Sequence, residues 1–493
     1  MVTTAPPRRP PSPSRPRIPS ARDQRLEIRR FRGALILLAL TVVAPGSVQI
    51  KAGNRRLGWA VLLTWIGLVA TGALVLWLVP MHELAGLAVR PWLLRALKLF
   101  LVAATIGWIA LLVDAWRLSY PPRLTRRHRL VLSATTLALL VMVATPPVIA
   151  MRYASAAHEA VVALFPSGDE AAASDGRLNV LLLGADAGRG RVGVRPDSIT
   201  VVSVDVRTAA PLLVSLPRNL QKARFTQGTP AAARFPDGFT GKGDPDEWLL
   251  NATWTYGEAN PRLFPGASEP GVTAVKQAVE GTLGLPIQYV VVIDLQGFQD
   301  LIDALGGVTM RVTEPLTMGE TGGVLKPGLR KLNGWETLWY ARSRSNSSDY
   351  ARMGRQRCVI GAILREADPA TVLRNFTELA EASTSIIRTD IPQAELPNLI
   401  DLAWRAKDRP VTSLQLVPPL ISPADPDFDV IADELETAMD ASANAAANRN
   451  GAKTATAASS GASPAAKPTS APVAADKKKQ PVVEDLSSVC SYE

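Results

Sequence analysis

At 493 residues, with 47% hydrophobic and 20% charged side chains, the chain has length for two or more folded units, and its 2 cysteines exclude a disulfide-rich scaffold. The formal net charge of +10 raises nucleic acid as a partner. Much of that excess, however, sits before Arg32 and in short loops between hydrophobic spans, where the positive-inside rule accounts for it, and neither zinc-finger spacing nor an RNA-binding aromatic motif is present, so no nucleic-acid partner is expected.

Residues 1–32 are rich in Pro, Ser and Arg and predict a disordered, basic cytoplasmic tail, too long and without the cleavage site of a signal peptide. Residues 33–151 predict a membrane region. Ala34–Ala44 is apolar but stops at Pro45-Gly46, short of the ~20 residues a span needs. Gly58–Val79, Leu93–Val113 and Leu130–Ala150 reach that length. Lys51, Arg55 and Arg56 precede the first full span, and Arg117, Arg123, Arg126, Arg127 and Arg129 precede the third, which puts both loops in the cytoplasm. Residues 33–50 then enter and leave on one side as a re-entrant or interfacial hairpin, three spans remain, and everything after Met151 lies outside. A count of four spans places either the basic tail or an arginine-rich segment on the wrong side.

Residues 152–177 predict a helical stalk and polar linker, and residues 178–439 a globular domain. Leu178–Leu183, Ile199–Asp205 and Leu212–Leu216 predict strands, and Tyr289–Ile293, a helix over Phe298–Leu305 and a strand over Val308–Val312 continue an alternating α/β pattern. Asp186 follows the first strand and Asp197 precedes the second, so adjacent strands can bring both carboxylates to one edge. Either they cap turns, as Asp often does, or they form the oxygen-ligand set that Mg²⁺ or Mn²⁺ prefers.

Gly334–Arg342 predicts a helix with Trp335, Leu338 and Trp339 as an apolar stripe; these and Phe298, Leu301 and Ile302 are expected in the core. If the chain is extended beyond Arg342, then Arg342 and Arg344 share a face. Arg352, Arg355 and Gln356 share a face near the start of the next helix, Met353–Arg365. With Arg357, five arginines thus crowd around one acid, Asp349, and a guanidinium is always charged and matches phosphate oxygens in a bidentate way. Asp349 is either a general base or a helix cap and ion-pair partner of Arg352. Helices over Thr371–Glu381, Gln393–Arg405 and Pro426–Met439 and a strand over Thr412–Val417 complete the domain. Residues 440–485, rich in Ala, Ser, Pro and Lys, predict a disordered tail, and residues 486–493 regain apolar character around Cys490. Cys358 falls on the apolar side of its helix, where it either packs in the core or bonds to Cys490. His82, His128 and His158 all precede the domain, which removes a serine-histidine triad.

The run from Leu332 to Gln356 resembles the LytR-CpsA-Psr family: a Leu-x-Gly-x-x-x-Leu helix, Tyr340-Ala341-Arg342-Ser343-Arg344, a short polar loop, then Asp349, Arg352, Arg355 and Gln356. The earlier Leu181-Leu182-Leu183-Gly184-Ala185-Asp186 segment, Arg195-Pro196-Asp197-Ser198 and Pro217-Arg218-Asn219 are similar to the family's other motifs, with Asn219 where many members carry Asp. The resemblance implies an α/β domain with a mixed central sheet flanked by helices, preceded by an all-α transmembrane region. It implies Asp186 and Asp197 as Mg²⁺ ligands, and Arg195, Arg218, Arg342, Arg344, Arg352 and Gln356 as a pyrophosphate site. The implied activity is a phosphotransferase that moves a glycopolymer from a polyprenyl-pyrophosphate carrier to peptidoglycan, with Arg218, Arg344 and Asp349 as catalytic residues. Two alternatives stand beside it: a scaffold that grips lipid pyrophosphate without turnover, and a pyrophosphatase that hydrolyses it.

Overall fold

The computed structural model describes residues 21–80, 86, 90–119, 124–168, 173–185, 195–319, 323–344, 348–366, 387–458 and 483–490. The chain divides into two compact units, one of residues 1–79 and 95–154, the other of residues 80–94 and 155–493.

The first unit is helical: α1 (Ala21–Val43), α2 (Ser47–Ala52), α3 (Arg55–Leu78) and most of α4 (Pro91–Leu118) and α5 (Arg126–Leu164). Arg55–Leu78, Trp92–Leu118 and Arg126–Ser155 are long and apolar enough to cross a membrane. Composition put residues 21–32 in a disordered tail; they are instead the first turns of α1, where Glu27 accepts a hydrogen bond from the Thr125 backbone at 3.0 Å. Ala34 and Leu38, one helical turn apart, pack with Val48, Ala115, Leu124 and Leu132. The break between α1 and α2 falls at Gly46, whose φ of +92° and close approach to Gly58 leave no room for a side chain.

The second unit runs β1 (Arg177–Ala185), β2 (Pro196–Asp205), β3 (Pro211–Leu216), α6 (Pro230–Arg234), α7 (Ala252–Ala259), α8 (Pro270–Leu283), β4 (Tyr289–Ile293), α9 (Leu295–Ala304), β5 (Val308–Val312), β6 (Leu316–Met318), β7 (Gly323–Leu325), β8 (Gly328–Leu332), α10 (Gly334–Arg342), α11 (Asp349–Glu366), β9 (Ile387–Thr389), α12 (Leu396–Ala406), β10 (Thr412–Gln415), α13 (Phe428–Ala458), β11 (Val483–Asp485) and α14 (Leu486–Cys490). Seven strands form a mixed sheet in the order β11-β10-β3-β2-β1-β4-β9. β1 is antiparallel to β2 and parallel to β4, and β3 is antiparallel to β2 and parallel to β10.

Helices cover both faces, which is why the central strands are apolar almost throughout. On one face Leu181, Leu183, Ile199, Val201, Leu212 and Val214 pack on Trp254, Ala274, Ala278, Ile431 and Leu435 from α7, α8 and α13. On the other, Leu213 joins a cluster with Ile302, Tyr340, Val359, Ala362 and Leu486.

Three sequence expectations need correction. β5 does not join the sheet but pairs with β8 as a separate ribbon, because Gly306 and Gly307, with φ of +81° and +88°, turn the chain directly after α9. α13 continues to Ala458, past the Asp440 boundary, through a segment rich in alanine, the strongest helix former. Trp335, expected in the core, is 42% exposed, whereas Leu338 beside it is buried. The helix expected over Thr371–Glu381 lies outside the described residues.

Candidate functional site

Four strand ends meet at one edge of the sheet. Pairing sets Ala185 opposite Pro196, Ile199 opposite Leu216 and Gly184 beside Ile293. The C-terminal ends of β1, β3 and β4 therefore lie with the start of β2, the edge at which open α/β sheets take ligands. Asp197 stands at the start of β2, and Arg218 follows β3 directly after Pro217. Asp186, expected beside Asp197, lies outside the described residues.

The other half comes from α10 and α11. Asn333 and Glu336 form a capping box that starts α10 at Gly334, so the helix runs out at Arg342, and Arg344 follows one residue later. The Arg355 guanidinium donates to the carbonyls of Tyr340, at 3.0 Å, and Ser343, and the Gln356 amide donates to Ala341 at 3.4 Å. These bonds satisfy carbonyls that the end of a helix leaves without partners, and they fix where the chain points as it leaves α10.

Together these segments enclose a cavity of about 1200 Å³. Ordinary small-molecule sites measure roughly 300–1,000 Å³, so the space exceeds what a compact metabolite needs. One end is polar, with Arg195, Asp197, Arg218, Arg342, Arg344, Arg352 and Gln356; the other is apolar, with Phe298, Leu301, Leu338, Ile360, Ile363 and Leu364. A single face of α11 makes the transition, since Arg352, Gln356, Val359, Ile360 and Ile363 recur at helical spacing along it.

At the polar end two carboxylates serve three arginines. Arg218 Nη1 lies 2.6 Å from Asp197 Oδ1, and its Nε lies 3.3 Å from Asp349 Oδ2. Asp349 also receives Arg352 Nη2 at 3.0 Å and Arg344 Nη2 at 3.4 Å. Burial works to raise the Asp349 carboxyl, but Arg352, Arg218 and Arg344 outweigh it and hold it below its ordinary value. For Arg218, burial works downward and Asp197 and Asp349 prevail, so its guanidinium is raised. Arg352 is 3% exposed and its Nε–H has no partner, a buried charged donor facing the site. Arg195 donates to the Asp246 carbonyl at 3.2 Å rather than to an acid. The result is a guanidinium cluster that its own carboxylates only partly compensate, suited to an anion with several oxygens.

Two of the five arginines crowded together in the sequence stand elsewhere. Arg355 serves the α10 carbonyls, and Arg357, on another side of α11, pairs with Glu484 at 2.5 Å. Cys358 and Cys490 form a disulfide, with Cα atoms 5.5 Å apart, joining α11 to α14. The sequence reading passed over Asp246, Asn251 and Asp294, which line the cavity from loops and helix starts without a recognisable motif.

Among the described residues no group of three or more His, Cys, Asp or Glu side chains is placed to hold a metal ion. Asp197 at the cavity's polar end is nevertheless the kind of donor that suits Mg²⁺, which usually takes one or two carboxylates and completes its shell with phosphate oxygens and water.

A model of the LytR_cpsA_psr family matches residues 148–418. Among curated proteins, the chain is 27% identical over 215 residues to the "Polyisoprenyl-teichoic acid--peptidoglycan teichoic acid transferase TagU" of Bacillus licheniformis, covering 43% of this chain and 60% of that protein. It is 30% identical over 217 residues to the protein of the same name from Enterococcus faecalis, covering 43% and 61%. The match thus spans about three-fifths of the length of these relatives. Among solved structures, Bacillus subtilis TagV is 23% identical with a TM-score of 0.39, covering 54% of this chain and 96% of TagV. A structure described as "TagT bound to LIIa-WTA" is 21% identical with a TM-score of 0.38, covering 55% and 92%.

Proposed function

The chain belongs to the LytR_cpsA_psr family, and from that premise we propose that it is a membrane-anchored phosphotransferase which moves a glycopolymer from a polyprenyl-pyrophosphate carrier to peptidoglycan. One observation carries the reading: a large cavity whose polar end gathers Arg195, Arg218, Arg342, Arg344 and Arg352 and whose other end is apolar. A lipid diphosphate has the same two-part character. Its diphosphate carries about two negative charges, and at ~4 Å and an effective dielectric of ~20 each opposite charge is worth ~4 kcal/mol, against ~1 kcal/mol in water. The prenyl chain occupies the end lined by Phe298, Leu301, Ile360, Ile363 and Leu364. The names of the curated relatives, with their polyisoprenyl-linked substrate and peptidoglycan acceptor, support the assignment.

The reaction is an in-line displacement. An acceptor hydroxyl of peptidoglycan attacks the phosphorus nearer the sugar, the new P–O bond forms, the P–O bond to the bridging oxygen breaks, and polyprenyl phosphate leaves with that oxygen. Arg218 and Arg344 stabilise the charge that develops on the phosphoryl oxygens; comparable arginines raise phosphoryl-transfer rates by ~10³–10⁵. Asp349, shared by three arginines and ionised well below neutrality, holds those guanidinium groups in place, since a depressed pKa makes it a weak proton acceptor. Mg²⁺ held by Asp197 with Asp186 would supply further neutralisation of phosphate charge. The N-terminal tail and the basic loops face the cytoplasm, three helices span the bilayer, and the domain works outside it.

The test is release of polyprenyl phosphate from a polyprenyl-pyrophosphate sugar by the purified full chain, with and without peptidoglycan. Release that requires the acceptor is the expected result. Equal release without it identifies a pyrophosphatase, and tight binding with no release identifies a scaffold.

A further inference from the structure

The polar end of the cavity contains one group that the diphosphate reading does not use. Asn251 lines the cavity beside Arg218, Asn219 and Asp246, and is 6% exposed. It occupies the N-cap position of α7, where an asparagine side chain ordinarily accepts a hydrogen bond from the first turn, yet it makes no such bond. Its Oδ1 is buried and has no hydrogen-bond partner. A buried carbonyl oxygen left without a donor costs ~1–3 kcal/mol, so such a group is expected to receive one from something that enters the site.

The position is fixed from both sides. The Asn251 backbone N–H donates to the Arg218 carbonyl at 3.1 Å, and the Leu250 N–H donates to the Leu220 carbonyl at 2.8 Å. These bonds bracket the turn that carries Arg218, so Asn251 is held immediately beside the residues assigned to the diphosphate. Its unpartnered atom is an acceptor, and a phosphate oxygen, which has no hydrogen to give, cannot satisfy it. Whatever meets Asn251 Oδ1 must offer an O–H or N–H while being attached to, or next to, the phosphates.

We propose that Asn251 is a sugar-recognition residue: its side-chain oxygen accepts a hydrogen bond from a hydroxyl or acetamido N–H of the first sugar linked to the diphosphate. The assignment rests on the phosphotransferase reading and adds to it the place where the enzyme distinguishes a glycosylated carrier from the bare prenyl diphosphate. Arg195, held by the Asp246 carbonyl, and Asn219 lie along the same wall and leave that side of the cavity polar.

The experiment uses the full chain in lipid nanodiscs and two probes, farnesyl pyrophosphate and farnesyl pyrophosphate esterified with N-acetylglucosamine. The readout is the ratio of their dissociation constants. Wild type is expected to prefer the glycosylated probe by about tenfold, the value of one buried hydrogen bond. Asn251→Leu should bring the ratio close to one. Asn251→Asp, which retains an acceptor oxygen of the same shape, should keep the preference even if its added charge weakens both probes together. Thermal melting of each variant establishes folding, and the aspartate variant decides the matter if the leucine variant does not fold. A ratio unchanged in Asn251→Leu, a preference lost in Asn251→Asp, or no preference in wild type overturns the proposal. If wild type binds neither probe, the lipid-diphosphate reading fails and this inference with it; binding of both probes without discrimination fails this inference alone.

Discussion

Asp349 receives Arg218, Arg344 and Arg352 within 3.0–3.4 Å, and its removal tests how far the cluster depends on an internal counter-charge. In Asp349→Asn, Arg352, almost wholly buried, keeps a hydrogen-bond acceptor but loses the charge that compensates it. Breaking a well-buried pair costs about 3–5 kcal/mol; with the Asp349 side chain 33% exposed, a loss of about 1–2 kcal/mol in chemical denaturation is expected. The pH dependence has a definite sign. The folded pKa lies below the unfolded value of ~3.9, so the carboxylate's contribution is complete above about pH 4 and disappears as pH falls through the lower folded value. Asp349→Asn should therefore flatten acid denaturation in that window and leave the shape of the curve near neutrality unchanged. Arg344 is the contrasting residue: its side chain is 53% exposed, so Arg344→Ala should leave the melting temperature nearly unchanged while lowering turnover by at least about 10³-fold. A turnover close to wild type in that variant would remove Arg344 from the reaction.

At the level of elements, the site depends on how α10 ends. Arg355 reaches from α11 to the Tyr340 and Ser343 carbonyls, and this contact sets the direction of Arg342 and Arg344. Arg355→Ala should cost about 1 kcal/mol of stability but lower kcat far more than it raises KM, with partial recovery in Arg355→Lys, which can still reach one carbonyl. A variant in which KM alone rises would contradict this. These elements also show what a sequence can and cannot disclose. The limits of α10 follow from local signals, the apolar stripe before it and the Arg-Ser-Arg exit after it, and the structure begins and ends it at Gly334 and Arg342. α11 begins at Asp349 rather than Met353, because Asp349 and its neighbours already turn helically before the apolar stripe starts. That Arg355 and Arg357 leave the cluster was invisible, since their partners, the α10 carbonyls and Glu484, are fixed by tertiary packing and not by spacing. The exposure of Trp335 was hidden for a related reason: an apolar stripe reports a helix face but not how wide the partner surface is.

Across the whole molecule, the C-terminal segment closes a long circuit. β11 pairs with β10 at the edge of the sheet, Arg357 meets Glu484, and the Cys358–Cys490 bond links residues separated by 132 positions. A cross-link over so long a loop restricts the unfolded chain strongly, so Cys490→Ser is expected to lower stability by about 2–4 kcal/mol. The same loss should follow reduction of wild type and should be absent when Cys490→Ser is reduced; an unaltered denaturation midpoint in both would show that the bond does not stabilise the fold. The cysteine count left core packing and a disulfide both open, and the fold decides between them by returning residues 483–490 to the surface of α11.

The account's central claim is that guanidinium groups brought together from β2, β3, α10 and α11 hold a lipid diphosphate. The most direct measurement is the affinity of the full chain for farnesyl pyrophosphate in wild type and in Arg342→Ala/Arg344→Ala, whose two side chains line the polar end of the cavity. At ~4 kcal/mol for each opposed charge before solvent screening, the double variant should bind at least about 10²-fold more weakly, with its melting temperature preserved. Equal affinity in the two proteins would contradict the claim.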